Sequence, residues 1–209
     1  VFLSLSCKKK EPSPAEPVPQ SPGPNGVPIH QDVAKMKFRL NSYWVYVDSL
    51  SAQTDSSFVD SIRFDGYFHF PGVHPSPDPY EVYIYFLRSS FSGNSQPYVL
   101  VASTQQRNSM AMMGPGNGTT TYASYTYATG YPVNNSSAGD TISVRDSLFV
   151  FDRFYNKIVI SQRQNDPDEG NLKTIYYSNS DFGLLRKDVF NTNGTLKHKW
   201  LLKNKNVIR

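Results

Sequence analysis

The feature that most restricts this chain is a period of two in its apolar residues. From Tyr80 onward, Tyr80, Val82, Ile84 and Phe86 alternate with Glu81, Tyr83, Tyr85 and Leu87. Successive side chains of an extended strand point to opposite faces, whereas a helix groups its apolar residues three and four apart. The alternation recurs in Phe38–Leu50, where Phe38, Leu40, Trp44 and Tyr46 oppose Tyr43, Val45 and Val47. It recurs again near the end, where Leu196, His198, Trp200 and Leu202 oppose Thr195, Lys197 and Lys199. Apart from a single helical turn or extended lead-in over Ile29–Lys37, no stretch carries a helical period.

Further candidate strands are Ser57–Phe70, Tyr98–Arg107, Thr119–Tyr127, Thr141–Phe154, Asn156–Gln164, Leu172–Tyr177 and Leu184–Phe190. In the first, Phe58, Ile62 and Phe64 share a face, and Gly66 marks a bulge or tight turn. Core candidates near the middle of the chain are Leu148, Val150, Ile158 and Ile160. Gly93-Asn94, Asn165–Asn171 and Asn191–Gly194 have turn chemistry. About eight to ten short strands with hairpin-length connections predict an all-β, single antiparallel domain over residues 29–209. The sheet is expected to curve or close as a lipocalin-like barrel, with a β-sandwich as the alternative.

The chain ahead of this domain has a different character. Glu11–Pro28 reads EPSPAEPVPQSPGPNGVP. Proline fixes φ, cannot donate a ladder hydrogen bond and biases its predecessor towards extended geometry, so residues 8–28 are read as a disordered Pro-rich tether. At about 3.1 Å per residue, such a spacer holds a domain tens of ångströms from its attachment point. A Pro-rich recognition ligand is the competing reading.

Val1–Lys10, VFLSLSCKKK, holds the single cysteine, Cys7, behind a short apolar run and ahead of three lysines. A sole cysteine has no intramolecular disulfide partner. Leu3-Ser4-Leu5-Ser6-Cys7 resembles the processing box of bacterial lipoproteins, with residues 1–7 as signal-peptide remnant and lipidation site. That resemblance implies acyl chains on Cys7 as a membrane anchor, reinforced by Lys8, Lys9 and Lys10 on anionic head groups. Asn41-Ser42-Tyr43-Trp44-Val45-Tyr46, with the later Ile175-Tyr176-Tyr177-Ser178 and Asp181-Phe182-Gly183-Leu184-Leu185-Arg186-Lys187, is similar to the opening and closing strands of small outer-membrane lipoproteins of the Bacteroidota. The resemblance implies a β domain at the bacterial cell envelope, facing the periplasm or the surface, and carries over no catalytic residue.

The residues offer little chemistry of their own. His69, His74 and Asp78 are weak metal candidates, since one loop supplies no clear further ligand. There is no G-x-S-x-G, and no serine pairs with a particular histidine and aspartate. The glycines of Gly114–Gly118 open no helix and lack a lysine, which argues against a phosphate cradle. Asp166, Asp168 and Glu169 have a calcium-loop flavour without the terminal bidentate glutamate, and are expected as a solvated turn. No cofactor is expected. The net charge of +4 comes from the closing segment, residues 173–209, which alone carries +6; lysines on a solvated strand face are the simplest reading there and no nucleic-acid partner is expected.

Aromatic side chains remain. Trp44, Tyr83, Tyr85, Tyr125 and Tyr127 are candidate platforms for a glycan, lipid or protein ligand, with core packing as the alternative. The expected function is a non-enzymatic, membrane-anchored binding domain. A carrier of lipid or another apolar ligand, its calyx lined by Trp44, Phe64, Tyr83 and Phe86, is the second reading. A hydrolase with a site around His69 and His74 is the third.

Overall fold

The structure, a computed structural model, describes residues 31–68, 80–90, 95–103, 107–113, 119–126, 132–133, 141–166 and 169–209. Cys7, the tether, His69, His74, Asp78, Gly114–Gly118, Tyr127 and Asp168 lie outside the described residues.

A four-residue helical turn, α1 (Gln31–Ala34), leads into strands β1 (Tyr43–Asp48), β2 (Thr54–Phe68), β3 (Tyr80–Ser89), β4 (Ser95–Ser103), β5 (Arg107–Met113), β6 (Thr119–Thr126) and β7 (Pro132–Val133). They are followed by β8 (Thr141–Val150), β9 (Arg153–Asp166), β10 (Leu172–Asn179), β11 (Gly183–Phe190) and β12 (Leu196–Asn206). Each of the ten segments expected as strands contributes one, together with β5 and the two-residue β7, but the break between Thr141–Phe154 and Asn156–Gln164 falls at Phe151-Asp152, where Val150 pairs with Arg153, and Arg107 belongs to β5. The described strands form one antiparallel sheet in the order β7-β6-β5-β4-β3-β2-β1-β12-β11-β10-β9-β8. The chain is therefore all-β, and one curved sheet replaces the alternative of two stacked sheets. No helix among the described residues is long and apolar enough to cross a membrane.

Every neighbouring pair in that order is consecutive in sequence except β1 and β12, which join the two ends of the domain. This is the order of an up-and-down barrel opened between β7 and β8. Among the described residues no ladder joins those two strands, although β7 comes within 8 Å of β8, and β6 within 8 Å of β9, between Cα atoms. The sheet curls round without closing.

Burial follows the strand period. On β1, Trp44, Tyr46 and Asp48 point inward; on β3, Tyr83, Tyr85, Leu87 and Ser89 do. On β12, Trp200 and Leu202 complete the wall against Leu184 and Leu185 of β11. Leu148, Val150 and Ile158 are buried as expected, and Ile160 is half-buried. Below the wall, Met36 and Phe38 pack from the lead-in, Phe38 meeting Trp44 edge to face at 4.9 Å between ring centroids.

The expected bulge at Gly66 is present, because the β2–β3 register shifts between Phe64 and Gly66. The expected common face of Phe58, Ile62 and Phe64 is broken: Phe58 pairs with Arg88, whereas Ile62 and Phe64 pair with Tyr85 and Tyr83 on the other phase of β3, and the buried positions of β2 are Asp55, Ser57 and Val59. A second register shift, between Val59 and Ser61, changes the phase partway along the strand, which a count of alternating residues does not anticipate.

Candidate functional site

Besides the Arg186–Asp188 pair on β11, the described interior contains three polar centres. The first sits where the β1–β2 turn meets β12. Asp48 is fully buried and faces inward as the last residue of β1. Its carboxylate accepts the backbone N–H groups of Leu50 at 3.1 Å and Lys199 at 2.9 Å, and the Ser51 hydroxyl at 2.7 Å. His198 Nδ1 lies 3.0 Å from Oδ2 of the same carboxylate. Burial would push this carboxyl up, but the hydrogen bonds from His198, Ser51, Lys199 and Leu50 outweigh it and bring its pKa down to about 2.

This places a serine, an aspartate and a histidine together, a grouping the sequence did not disclose because His198 and Asp48 are 150 residues apart. The order of contacts is not that of a nucleophilic triad. In a triad the imidazole stands between the carboxylate and the hydroxyl and takes the hydroxyl proton. Here Ser51 donates to Asp48 itself, and both backbone donors converge on the same carboxylate. The geometry orients His198 and closes the turn; it does not activate Ser51.

The second centre corrects the expectation that Asp166 and Glu169 are solvated in the turn at residues 165–171. Asp166 is fully buried, because it ends β9 on the inward phase while the chain turns through Gly170 and Asn171, both at positive φ. Its carboxylate accepts the Tyr176 hydroxyl at 2.5 Å and an Arg163 N–H at 3.3 Å. Beside it, Lys187 is fully buried and ion-paired with Glu169. The Lys187 ammonium also lies 5.9 Å from the Tyr176 ring centroid.

Lys187 is inward because β11 continues the phase of Leu185 and Val189, all three fully buried. The pairing Tyr176↔Lys187↔Trp200 then sets it between two aromatic residues on the neighbouring strands. The alternation on β11 was visible in the sequence, but a lysine on the apolar phase was not singled out. Arg163 is paired with Asp166 and Lys187 with Glu169, so the two described carboxylates of this loop are met by the protein's own cations. Among the described residues no group of three or more His, Cys, Asp or Glu is placed to hold a metal.

The third centre is Asp55, which accepts the hydroxyls of Ser89 at 2.8 Å and Ser90 at 3.1 Å. Tyr46, nearby, donates to the Leu184 carbonyl at 3.1 Å. Burial, and then the charges of Asp55 and Tyr155, hold its phenol well above the ordinary tyrosine range.

Of the aromatic candidates, Trp44, Tyr83 and Tyr85 are brought together, but inside the wall, at 0%, 4% and 2% exposure. The Trp44 indole N–H donates to the Phe182 carbonyl at 2.7 Å, and the Lys37 ammonium stands 3.9 Å from the Tyr83 ring centroid. These three are packing residues rather than an open platform. Tyr125 lies on β6, opposite Asn108 and Pro132. The expected calyx lining was also inconsistent with the strand period: Phe86 belongs to the opposite face of β3 from Tyr83, and it is half-buried there. Phe64 pairs with Tyr83 in the β2–β3 ladder.

A scan against protein-family models finds no match, and no curated protein matches the sequence.

Proposed function

We propose that this chain is a lipoprotein of the bacterial cell envelope, held in the membrane through acylated Cys7, whose β domain binds a ligand or partner without catalysing a reaction. The observation that carries the non-enzymatic, surface-binding part is the packing of the described interior. Trp44, Tyr46, Tyr83, Tyr85, Trp200 and Leu202 are all at most 4% exposed and form a continuous core. Packing of this kind among the described side chains favours recognition on the outside of the sheet, whereas a carrier needs an enclosed apolar space. Supporting it further, Ser51 is bonded to a carboxylate and not to an imidazole.

The anchor rests on the sequence around Cys7. Metabolic labelling with a palmitate analogue should mark the chain and leave a Cys7→Ala variant unlabelled; label persisting in the variant would remove the anchor. Native mass spectrometry of the variant should show the bare chain mass, and a copurifying lipid would favour the carrier instead.

A further inference from the structure

The β8–β9 hairpin ends in three exposed phenylalanines. Val150 pairs with Arg153, leaving a two-residue loop, Phe151-Asp152. Phe149 and Phe154 face each other across the ladder with ring centroids 5.0 Å apart, and are 54% and 72% exposed. Phe151, 46% exposed, forms the tip. It stands at φ 60°, in the first loop position, where a type II′ turn calls for glycine. A bulky residue in the left-handed region strains the backbone, so the turn carries a phenyl ring at a position where glycine would be easier.

The surroundings are cationic. At this end of the sheet, Asp152 is paired with Arg153 at 3.0 Å and Asp181 with Arg209 at 3.3 Å. Lys157 is exposed a turn away, and the Lys205 ammonium sits 4.0 Å from the Phe182 ring centroid and 2.8 Å from the Tyr155 hydroxyl. Desolvation, and then the charge of Arg153, lower the Lys205 pKa. Farther along β8 stand Arg145 and Asp146, both exposed. Arg145, Arg153, Lys157, Lys205 and Arg209 against Asp146, Asp152 and Asp181 leave an excess of positive charge at this end of the sheet.

We propose that this tip is a membrane-contacting wedge: Phe149, Phe151 and Phe154 enter the acyl boundary of an anionic bilayer while the exposed Lys157 faces its phosphates. A convex apolar point suits a fluid surface that adapts to it, whereas a protein partner must supply a matching cavity. Like charge around the tip opposes pairing of two copies through it. The proposal deepens the membrane-anchored reading, resting on it for the presence of a membrane, but the contact itself needs no acyl chain.

The test uses the full chain carrying Cys7→Ala, so that no acyl anchor contributes, and vesicles of phosphatidylcholine and phosphatidylglycerol mixed about two to one. Co-sedimentation should show binding that weakens on pure phosphatidylcholine vesicles. Phe149→Ser with Phe154→Ser should weaken it by about tenfold or more, the order expected from withdrawing two phenyl rings. Phe151→Gly should also weaken binding while leaving the thermal midpoint equal or higher, because it relieves the turn as it removes the ring. That opposite movement of binding and stability separates a functional loss from misfolding. No binding by the Cys7→Ala chain, or equal binding by the parent and Phe151→Gly, would overturn the wedge. So would a dimer in sedimentation equilibrium that the phenylalanine variants dissociate without any effect on vesicles. Palmitate labelling reports on the anchor independently, so either proposal can fail alone.

Discussion

Asp48 and His198 meet at 3.0 Å where the first strand of the domain ends against the last, and the same carboxylate holds the turn that leads into β2. One side chain therefore fastens β12 to the β1–β2 turn, at the place where the two ends of the domain come together in one sheet.

Acid should loosen this junction. The Asp48 carboxyl falls from 3.8 to about 2 in the folded chain. A depressed carboxyl pKa contributes stability that is present above the unfolded value and is lost as pH falls through the folded one. The contribution is thus complete above about pH 4 and gone below about pH 2, amounting to about 2 kcal/mol. Urea denaturation across this range should show that slope in the parent and a flatter one in Asp48→Asn.

Lys187 and Glu169 form a buried pair, and removing one partner should cost far more than removing both. Lys187→Met leaves the Glu169 carboxylate uncompensated and should destabilise the chain by about 3–5 kcal/mol. Lys187→Met combined with Glu169→Leu should recover most of that loss in equilibrium unfolding. A double variant as unstable as the single one would contradict the pairing.

Tyr46 should stay neutral past the pH at which exposed tyrosines ionise. Its raised pKa means that the stabilisation is complete below the unfolded value near 10 and is lost as pH rises beyond it. In a spectrophotometric alkaline titration, its phenolate should appear only with cooperative unfolding. Tyr46→Phe removes the hydrogen bond to Leu184 and should cost about 1 kcal/mol at neutral pH.

Ser51 should act as a cap and not as a nucleophile. Ser51→Ala and His198→Gln should leave the rate of para-nitrophenyl acetate hydrolysis at the parent value. Ser51→Ala should lower stability by about 1 kcal/mol, because it deletes a donor to the buried Asp48 carboxylate. A loss of hydrolysis in either variant would revive the enzymatic reading.

Much of the architecture was legible because strand alternation and turn chemistry are local. Asn193 and Gly194 illustrate this: the Asn193 side chain accepts from the backbone and hydroxyl of Thr195, and Gly194 supplies the positive φ. The inward phase of β12, with Trp200 and Leu202, followed directly from its spacing. The aromatic candidates were less legible, since Tyr83 on a platform and Tyr83 in a core have the same spacing. Phe58 and Phe86 were misassigned for two different reasons. The register shift after Val59 puts Phe58 out of phase with Ile62 and Phe64, and the proposed calyx combined residues of opposite phase on β3.

The sequence by itself determined that this chain makes antiparallel strands, where most of them lie and several of the turns, because those properties depend on neighbours a few residues apart. Only the tertiary structure decided that β1 pairs with β12, that Asp48 meets His198, and that Lys187 and Asp166 are buried. Those outcomes depend on the register between distant strands. A charged residue on an apolar phase is stable inside only when that register brings its partner within reach.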